Sequence, residues 1–304
     1  SIQNAGSAAA TVNVAYSDGT TVGPFTIPAG AAQVVYQSQE THNAKNFAGT
    51  ITSNQPVVAS VVQENNKTMF AYTGFSAGNS TTTPVFPLIN ANNSGYITGL
   101  QIQNGGAAAS DVTVTYTPAG AGAACTETQT IQPGASATFA LAAFNPSVPA
   151  NASSNCAKER FIGSARVTTN TGNVPLFGIG NQLNPGVNGG AYGAFTPADA
   201  GRIVSMPLIM DRNSGYFTGF NVQNIGSSAT NVSCTFQNNG RTVAGTLQPG
   251  QALNDIQNGL LADRYVGSAT CTGEAADALL VAVVNQLRPG TADEFLVYEG
   301  ARVP

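Results

Sequence analysis

Three stretches of fifteen residues decide how this chain is organised. Residues 2–16 read IQNAGSAAATVNVAY, residues 102–116 read IQNGGAAASDVTVTY, and residues 222–236 read VQNIGSSATNVSCTF. Each begins with an apolar residue, a glutamine and an asparagine, passes through small residues, and ends with apolar residues at alternate positions. That order predicts a turn followed by a strand with one buried face.

Further landmarks follow each stretch in the same order. A turn containing Pro and Gly comes first, then an aromatic residue two positions before a glycine, and then an apolar strand. The turns span 27–30, 131–134 and 247–250, the aromatic–glycine segments 47–50, 161–164 and 265–268, and the apolar strands 57–62, 176–181 and 279–285. The copies start 100 and 120 positions apart, which suits one β-sandwich per copy. We therefore predict an all-β chain of three sandwich domains, at 1–80, 86–197 and 204–304.

A segment that opens the second and third copies has no counterpart in the first. Residues 87–100 and 207–220 both contain Pro-Leu-Ile followed by Asn-Ser-Gly-Tyr. We expect these segments to supply the opening strand of each sandwich. The first domain would then have an open edge along Ile2 to Asn4 or its neighbour, and an open edge invites another strand.

Two explanations of the missing strand stay open. A second molecule could donate a strand head to tail, or the natural protein could continue upstream of Ser1. The tail from Glu299 to Pro304 is too short to replace the whole segment. The possible subunit contacts are accordingly Ile2, Gln3, Asn4, Val303 and Pro304.

These recurring motifs carry a resemblance. Pro-Leu-Ile, Asn-Ser-Gly-Tyr-x-Thr-Gly, Gln-Asn and Val-x-Val-x-Tyr together resemble tandem Ig-like repeats of bacterial secreted and cell-surface proteins. The resemblance covers nearly the whole chain and implies three tandem Ig-like β-sandwich domains. It also implies an extracellular, non-catalytic structural or adhesive role, and it transfers no catalytic residues.

Composition excludes several classes of partner. Charged residues make up 9% of the chain, and the net charge is −4. Nucleic acids and anionic membranes require a basic face, so neither is an expected partner. No apolar run reaches the roughly 18 residues that a membrane helix needs.

Four cysteines fit two bonds within domains. Cys234 and Cys271 replace valines that point inward in the second copy, so we predict a disulfide that bridges the third sandwich. Cys125 and Cys156 lie in two insertions of the second copy, and we predict that they pair as well. Two disulfides favour an oxidising compartment, whereas four free thiols would be expected in a reducing one.

Few residues could carry catalysis. His42 is the only histidine, and its polar surroundings predict a solvated loop. Asp293 and Glu294 are the one adjacent acidic pair and are expected at a solvated loop end. A loose calcium site near Glu274 and Asp277 is a minor alternative. We predict no enzyme activity, no cofactor and no metal.

The leading functional hypothesis is a structural subunit of an extracellular or cell-surface assembly: a filament, sheath or stalk built by head-to-tail self-association. The alternative is an adhesin or carbohydrate-binding surface module. A covalent glycan is also possible, because N-glycosylation patterns begin at Asn66, Asn79, Asn92, Asn151 and Asn231.

Overall fold

The computed structural model describes residues 1–44, 46–64, 68–140, 160–290 and 294–304. Within those ranges the chain is all-β, and short 3₁₀ turns are its only helical elements. The 24 strands there form six antiparallel sheets. The all-β prediction is confirmed, and the six sheets are consistent with three two-sheet sandwiches.

The described part of the first domain has seven strands. They are β1 Ile2–Asn4, β2 Ala10–Tyr16, β3 Thr21–Ile27, β4 Ala32–Gln33, β5 Gly49–Ser53, β6 Val57–Glu64 and β7 Met69–Thr73. One sheet has the order β4-β1-β6-β7 and the other β3-β2-β5. Buried side chains of both sheets share one core, to which β1 contributes Ile2 and β2 contributes Val12 and Val14.

The second domain has eight strands among its described residues. They are β8 Val85–Ala91, β9 Ile97–Asn104, β10 Ser110–Ala121, β11 Cys125–Ile131, β12 Ser136–Phe139, β13 Phe161–Thr169, β14 Leu176–Asn184 and β15 Asn188–Gly193. Its sheets have the orders β12-β9-β14-β15 and β11-β10-β13-β8.

The third domain repeats that plan, with nine strands among the residues that the structure describes. They are β16 Ile203–Asp211, β17 Phe217–Asn224, β18 Thr230–Phe236, β19 Asn239–Leu247, β20 Ala252–Gln257, β21 Tyr265–Gly273, β22 Leu280–Leu287, β23 Phe295–Glu299 and β24 Ala301–Arg302. Its sheets have the orders β20-β17-β22-β23 and β19-β18-β21-β16-β24.

The opening segments form the strands that their position predicts. β8 pairs with β13 at the edge of its sheet, and β16 pairs with β21 next to the short edge strand β24. The end of each opening segment supplies the first half of β9 or β17. The first domain has the same strand order without this strand, because its corresponding sheet stops at β5.

The asparagine of each Gln-Asn motif is a buried clamp between the two sheets. Asn4, Asn104 and Asn224 are fully buried at the ends of β1, β9 and β17. Each Nδ2 donates to a carbonyl in the next turn and to the carbonyl that ends an edge strand of the opposite sheet (β3, β11 or β19), at 2.7–3.0 Å. Each Oδ1 accepts from the N–H two residues further on.

The same asparagines explain the Pro/Gly turns. Their main-chain carbonyls accept hydrogen bonds from the N–H groups of Gly30, Gly134 and Gly250. All three glycines have φ between +71° and +85°, a region that side chains disfavour. The two landmarks are therefore halves of one hydrogen-bonded unit, which is why they recur together.

Removing the clamp should destabilise a domain. We expect Asn224→Ala to lower the free energy of unfolding of the third domain by about 3 kcal/mol, because the carbonyls of Ser228 and Leu247 and the N–H of Gly226 lose their partner. The exposed Asn258 is the matched control, and its change to Ala should stay within about 0.5 kcal/mol. Denaturant unfolding measures both, and equal stabilities would contradict the clamp.

The disulfide of the third domain lies within one sheet. Cys234 and Cys271 form a bond with an Sγ–Sγ distance of 2.06 Å. They are directly opposite each other on the neighbouring strands β18 and β21. The prediction that this bond bridges the sandwich is therefore wrong, although both side chains point into the core and are fully buried. The corresponding pair in the second domain is Val114 and Val167.

The structure describes only one of the two cysteines of the second predicted disulfide. Cys125 begins β11 and is buried. Its predicted partner, Cys156, lies outside the described residues. The Cys125–Cys156 pairing therefore stays a prediction.

The valine pair of the second domain offers a test of the disulfide. The double variant C234V/C271V should fold, because valines already occupy this register in the second domain. It should lose about 2–4 kcal/mol of unfolding free energy, as expected for loss of a native disulfide. Denaturant unfolding followed in the third domain gives the value, with C125A/C156A as a control that should leave this domain unchanged. An unfolding curve identical to that of the native chain would contradict this contribution.

The domains pack directly on one another through a glycine-rich strand. β15 lies against both β7 of the first domain and β23 of the third. A Cβ atom on Gly189 would come within 2.5 Å of the Phe70 ring, and one on Gly190 within 2.6 Å of Val297 Cγ2. Glycine at both positions therefore lets the neighbouring domains approach.

The third domain also buries part of one sheet face against the second. Its strands β17 and β22 lie against β8, so Val281 and Val283 belong to the core cluster of the second domain. Gln182 and Asn285 exchange two amide hydrogen bonds across this contact, at 3.0 and 2.7 Å. The opening strand of the second domain thus serves two domains.

Candidate functional site

The first domain has a sheet edge without a partner strand. β5 pairs with β2 on one side, and no described residue pairs with its other side. In the second domain β8 fills this place, and Val167 donates its N–H to the carbonyl of Pro84 at 2.8 Å. Ile51 holds the register of Val167, because it faces Val14 as Val167 faces Val114. Its N–H should therefore face the open side.

The core beside this edge is only half covered. Val167 and Leu176 are fully buried in the second domain, whereas their counterparts in the first, Ile51 and Val57, remain partly exposed. The buried side chains that cover this core in the other domains come from β8 and the start of β9, and from β16 and the start of β17: Phe86, Ile89 and Leu100, and Met206, Ile209 and Phe220. The open edge and the uncovered core form one site, which we call the acceptor groove: β5 and the inward-facing Val57 at the start of β6.

The expected position of the open edge needs correction. β1 lies between β4 and β6, so both sides of Ile2–Asn4 are paired, and Ile2 and Asn4 are buried. The strand after the missing segment in sequence is not the strand that pairs with that segment in the sheet. Gln3 remains exposed on the outer face of its sheet.

The C-terminal tail is already used by its own domain. β24 pairs with the outer side of β16, and Val303 donates its N–H to Ile203 at 2.9 Å. Val303 and Pro304 are exposed, but the residues before them would have to detach before this tail could reach another molecule.

A polar clasp holds the long loop next to β5. His42 Nδ1 lies 3.1 Å from both Asp18 Oδ2 and Thr20 Oγ1, and the N–H of Asn43 donates to Asp18 at 2.8 Å. The His42 ring stacks on Phe47 at 4.0 Å between ring centres. The prediction of a solvated His42 is wrong, since its side chain is only 10% exposed.

The clasp does not have the geometry of a catalytic relay. In such a relay the acid and the hydroxyl contact opposite ring nitrogens. Here Asp18 and Thr20 share Nδ1, while Nε2 is buried and has no partner among the described residues. The arrangement fixes a loop through several hydrogen bonds to one carboxylate. Sequence reasoning missed Asp18, although an Asp-Gly pair after a strand is a turn signal.

The carboxylate of Asp18 is held in its ionised form. Burial raises its pKa, but hydrogen bonds from Thr20, Asn43 and His42 outweigh burial and leave the pKa well below its usual value. A depressed pKa stabilises the clasp above the usual carboxyl pKa, and that stabilisation is lost as the pH falls.

The other acids named from the sequence pair with nearby groups. Glu294 contacts Arg288 at 2.7 Å, and Glu274 accepts a hydrogen bond from Asn231 at 2.6 Å. Asp293 lies outside the described residues. Among the residues that are described, no three His, Cys, Asp or Glu side chains gather in a group that could hold a metal.

The glycosylation patterns fall in different settings. Asn66 and Asn151 lie outside the described residues. Asn79 is exposed in a 3₁₀ turn, and its Oδ1 accepts a hydrogen bond from Ser76. Asn231 is exposed on β18.

Comparison of the chain with protein-family models, with curated proteins and with solved structures gave no match. In the described ranges, no helix has the length and apolar character to cross a membrane. The structure shows an all-β chain with a disulfide. A proposal about function has to rest on the geometry of the acceptor groove.

The clasp makes a prediction about pH. In the native chain the amide signal of Asn43 should stay constant through the ordinary carboxyl range at about pH 4 and shift only well below it, because protonation of Asp18 then removes its hydrogen-bond acceptor. Asp18→Asn should abolish this titration and loosen the loop at neutral pH. NMR spectra recorded across the pH range test both statements. The control Asp263→Asn changes an exposed acid and should leave the Asn43 titration intact; a titration that survives in D18N would contradict the clasp.

Proposed function

We propose that this chain is a structural subunit of an extracellular or cell-surface filament, sheath or stalk, and that it grows by association with further copies. Its three sandwiches are Ig-like in this proposal. The observation that carries it is the acceptor groove, where an open sheet edge and an uncovered core occupy the same place. Such an edge binds an extended strand through main-chain hydrogen bonds and side-chain pockets.

The other two domains define the chemistry of the occupant. It is an extended segment of the Pro-Leu-Ile type, with apolar residues at the positions of Phe86, Ile89 and Leu100. In this proposal a neighbouring copy delivers a segment of this kind that is not built into its own domains, as β8 and β16 are. A contact between unlike surfaces of two copies leaves further surfaces free, so it produces an open polymer unless the ring closes.

The composition and the disulfide support the location. The Cys234–Cys271 bond is compatible with an oxidising, extracellular compartment. Charged residues make up only 9% of the chain, which fits a surface that is rich in Ser, Thr, Asn and Gly. Direct packing between consecutive domains suits a load-bearing part, because adjacent sandwiches share buried surface.

A capping peptide tests the acceptor groove. The native chain should form regular polymers in negative-stain images. A peptide with the sequence of residues 84–100, PVFPLINANNSGYITGL, should fill the groove, weaken growth and raise the melting temperature of the first domain, because it restores the missing core contacts. A control peptide with F86D, I89D and L100D should do neither.

Other results would contradict the proposal. Discrete monomers that bind glycans would favour the adhesin alternative. Polymers that grow unchanged in saturating peptide would show that strand addition does not build them.

A further inference from the structure

Among the described residues, exposed large apolar side chains are confined to the two outer domains. Within the described residues, the second domain has none. They are Val34, Tyr36, Val58, Val62 and Met69 in the first domain, and Ile256, Leu260, Val266, Leu279, Leu296 and Val303 in the third. The second domain has a neighbour on each side, and both of its contact faces are covered. The corresponding faces of the outer domains have no neighbour within the described part of the chain.

One of these faces corresponds to a face that the third domain buries. Val281 and Asn285 lie on the side of β22 that is turned toward the second domain, and both are buried. In the first domain Val58 and Val62 hold the same registers on β6, opposite Gln3 and Ala71. They are 52% and 54% exposed. The outer face of the sheet β4-β1-β6-β7 therefore corresponds to the face that the third domain buries against the second, but in the first domain it is exposed.

The third domain carries the complementary face. In the second domain this face is formed by β8 and β13, where Ile162 packs at the edge of the core cluster, and by β15. Val266 holds the register of Ile162, since it pairs with Met210 as Ile162 pairs with Asn90. Val266 is 52% exposed.

The contacts of β15 give a closer match. Gly189 lies against Phe70 of the first domain, and Gly190 lies against Phe295 of the third. By strand register, Leu296 holds the place of Gly190. Met69 likewise holds the place of Phe295. Leu296 and Met69 are 59% and 57% exposed, so the next repetition of the series would bring them together.

We propose that the third domain of one copy packs on the first domain of the next through the contact that joins the second and third domains within the chain. The partner is a second copy, Val266 and Leu296 face Val58, Val62 and Met69, and the contact repeats head to tail. The inference rests on the proposed assembly function and assigns it a second surface, distinct from the acceptor groove.

Two charged variants separate the two faces. V58D/V62D alters only the first-domain face, and V266D/L296D alters only the third-domain face; all four side chains are at least half exposed, so folding should be retained. Sedimentation velocity over a concentration series should show open-ended association of the native chain. Each variant alone should associate at least about tenfold more weakly, as expected when apolar contact residues are replaced by charge.

An equimolar mixture of the two variants gives the sharpest result. Each pair then retains one intact contact, between the third domain of V58D/V62D and the first domain of V266D/L296D. The mixture should form one-to-one dimers and stop. The control Ile256→Asp changes an equally exposed residue, 59%, outside both faces and should associate like the native chain.

The peptide of residues 84–100 separates this contact from strand addition. If the native chain still associates when the peptide is in excess, and the face variants do not, the result supports the contact. Native polymers that disappear with the peptide and ignore the face variants would overturn the contact and leave the proposed function standing. A native chain that is monomeric at all concentrations, with and without peptide, would overturn both.

Discussion

The rest of the structure depends on the opening strand of each sandwich. β8 completes the main-chain hydrogen bonding of β13, places Phe86 and Ile89 in the core, and lies against β17 and β22 of the next domain. One extended segment therefore satisfies a sheet edge, a core and a domain contact at once. Where the described residues lack such a strand, in the first domain, core positions that are elsewhere buried are only half covered.

The asparagine clamp explains how similar sandwiches arise from dissimilar sequences. Few residues are shared by all three copies, but Asn4, Asn104 and Asn224 make the same set of hydrogen bonds. A buried amide that bonds two carbonyls fixes the turn, and the glycine in the Pro/Gly turn must then take a left-handed φ. The alternating apolar residues specify the rest of each strand, because any apolar side chain at these positions gives the strand one face that can be buried.

Much of the fold could be predicted from these local signals. Alternating apolar residues and turn residues are signals that span only a few positions of the sequence. They were enough to predict the all-β class and the strands that the opening segments form. The open edge was misplaced at Ile2–Asn4, because sequence order does not give the order of strands in a sheet. The same limit placed the Cys234–Cys271 bond between sheets, although the two residues are neighbours within one sheet.

Long-range polar contacts and domain faces were less accessible. Asp18 and His42 meet across 24 positions, and no local pattern pairs them. Val58 and Val62 read as ordinary strand residues, and their significance comes only from the buried position of Val281 and Asn285 in the third domain. Repetition within the chain supplies that comparison, since one copy shows what another leaves uncovered.

Amide hydrogen exchange at β5 tests the central claim most directly. By strand alternation, the N–H of Ile51 faces the acceptor groove and that of Thr52 faces β2. In the free chain Ile51 should exchange rapidly and Thr52 slowly, and in the assembled state both should exchange slowly. Slow exchange of Ile51 in the free chain, or rapid exchange in the assembly, would contradict an acceptor groove that a strand fills.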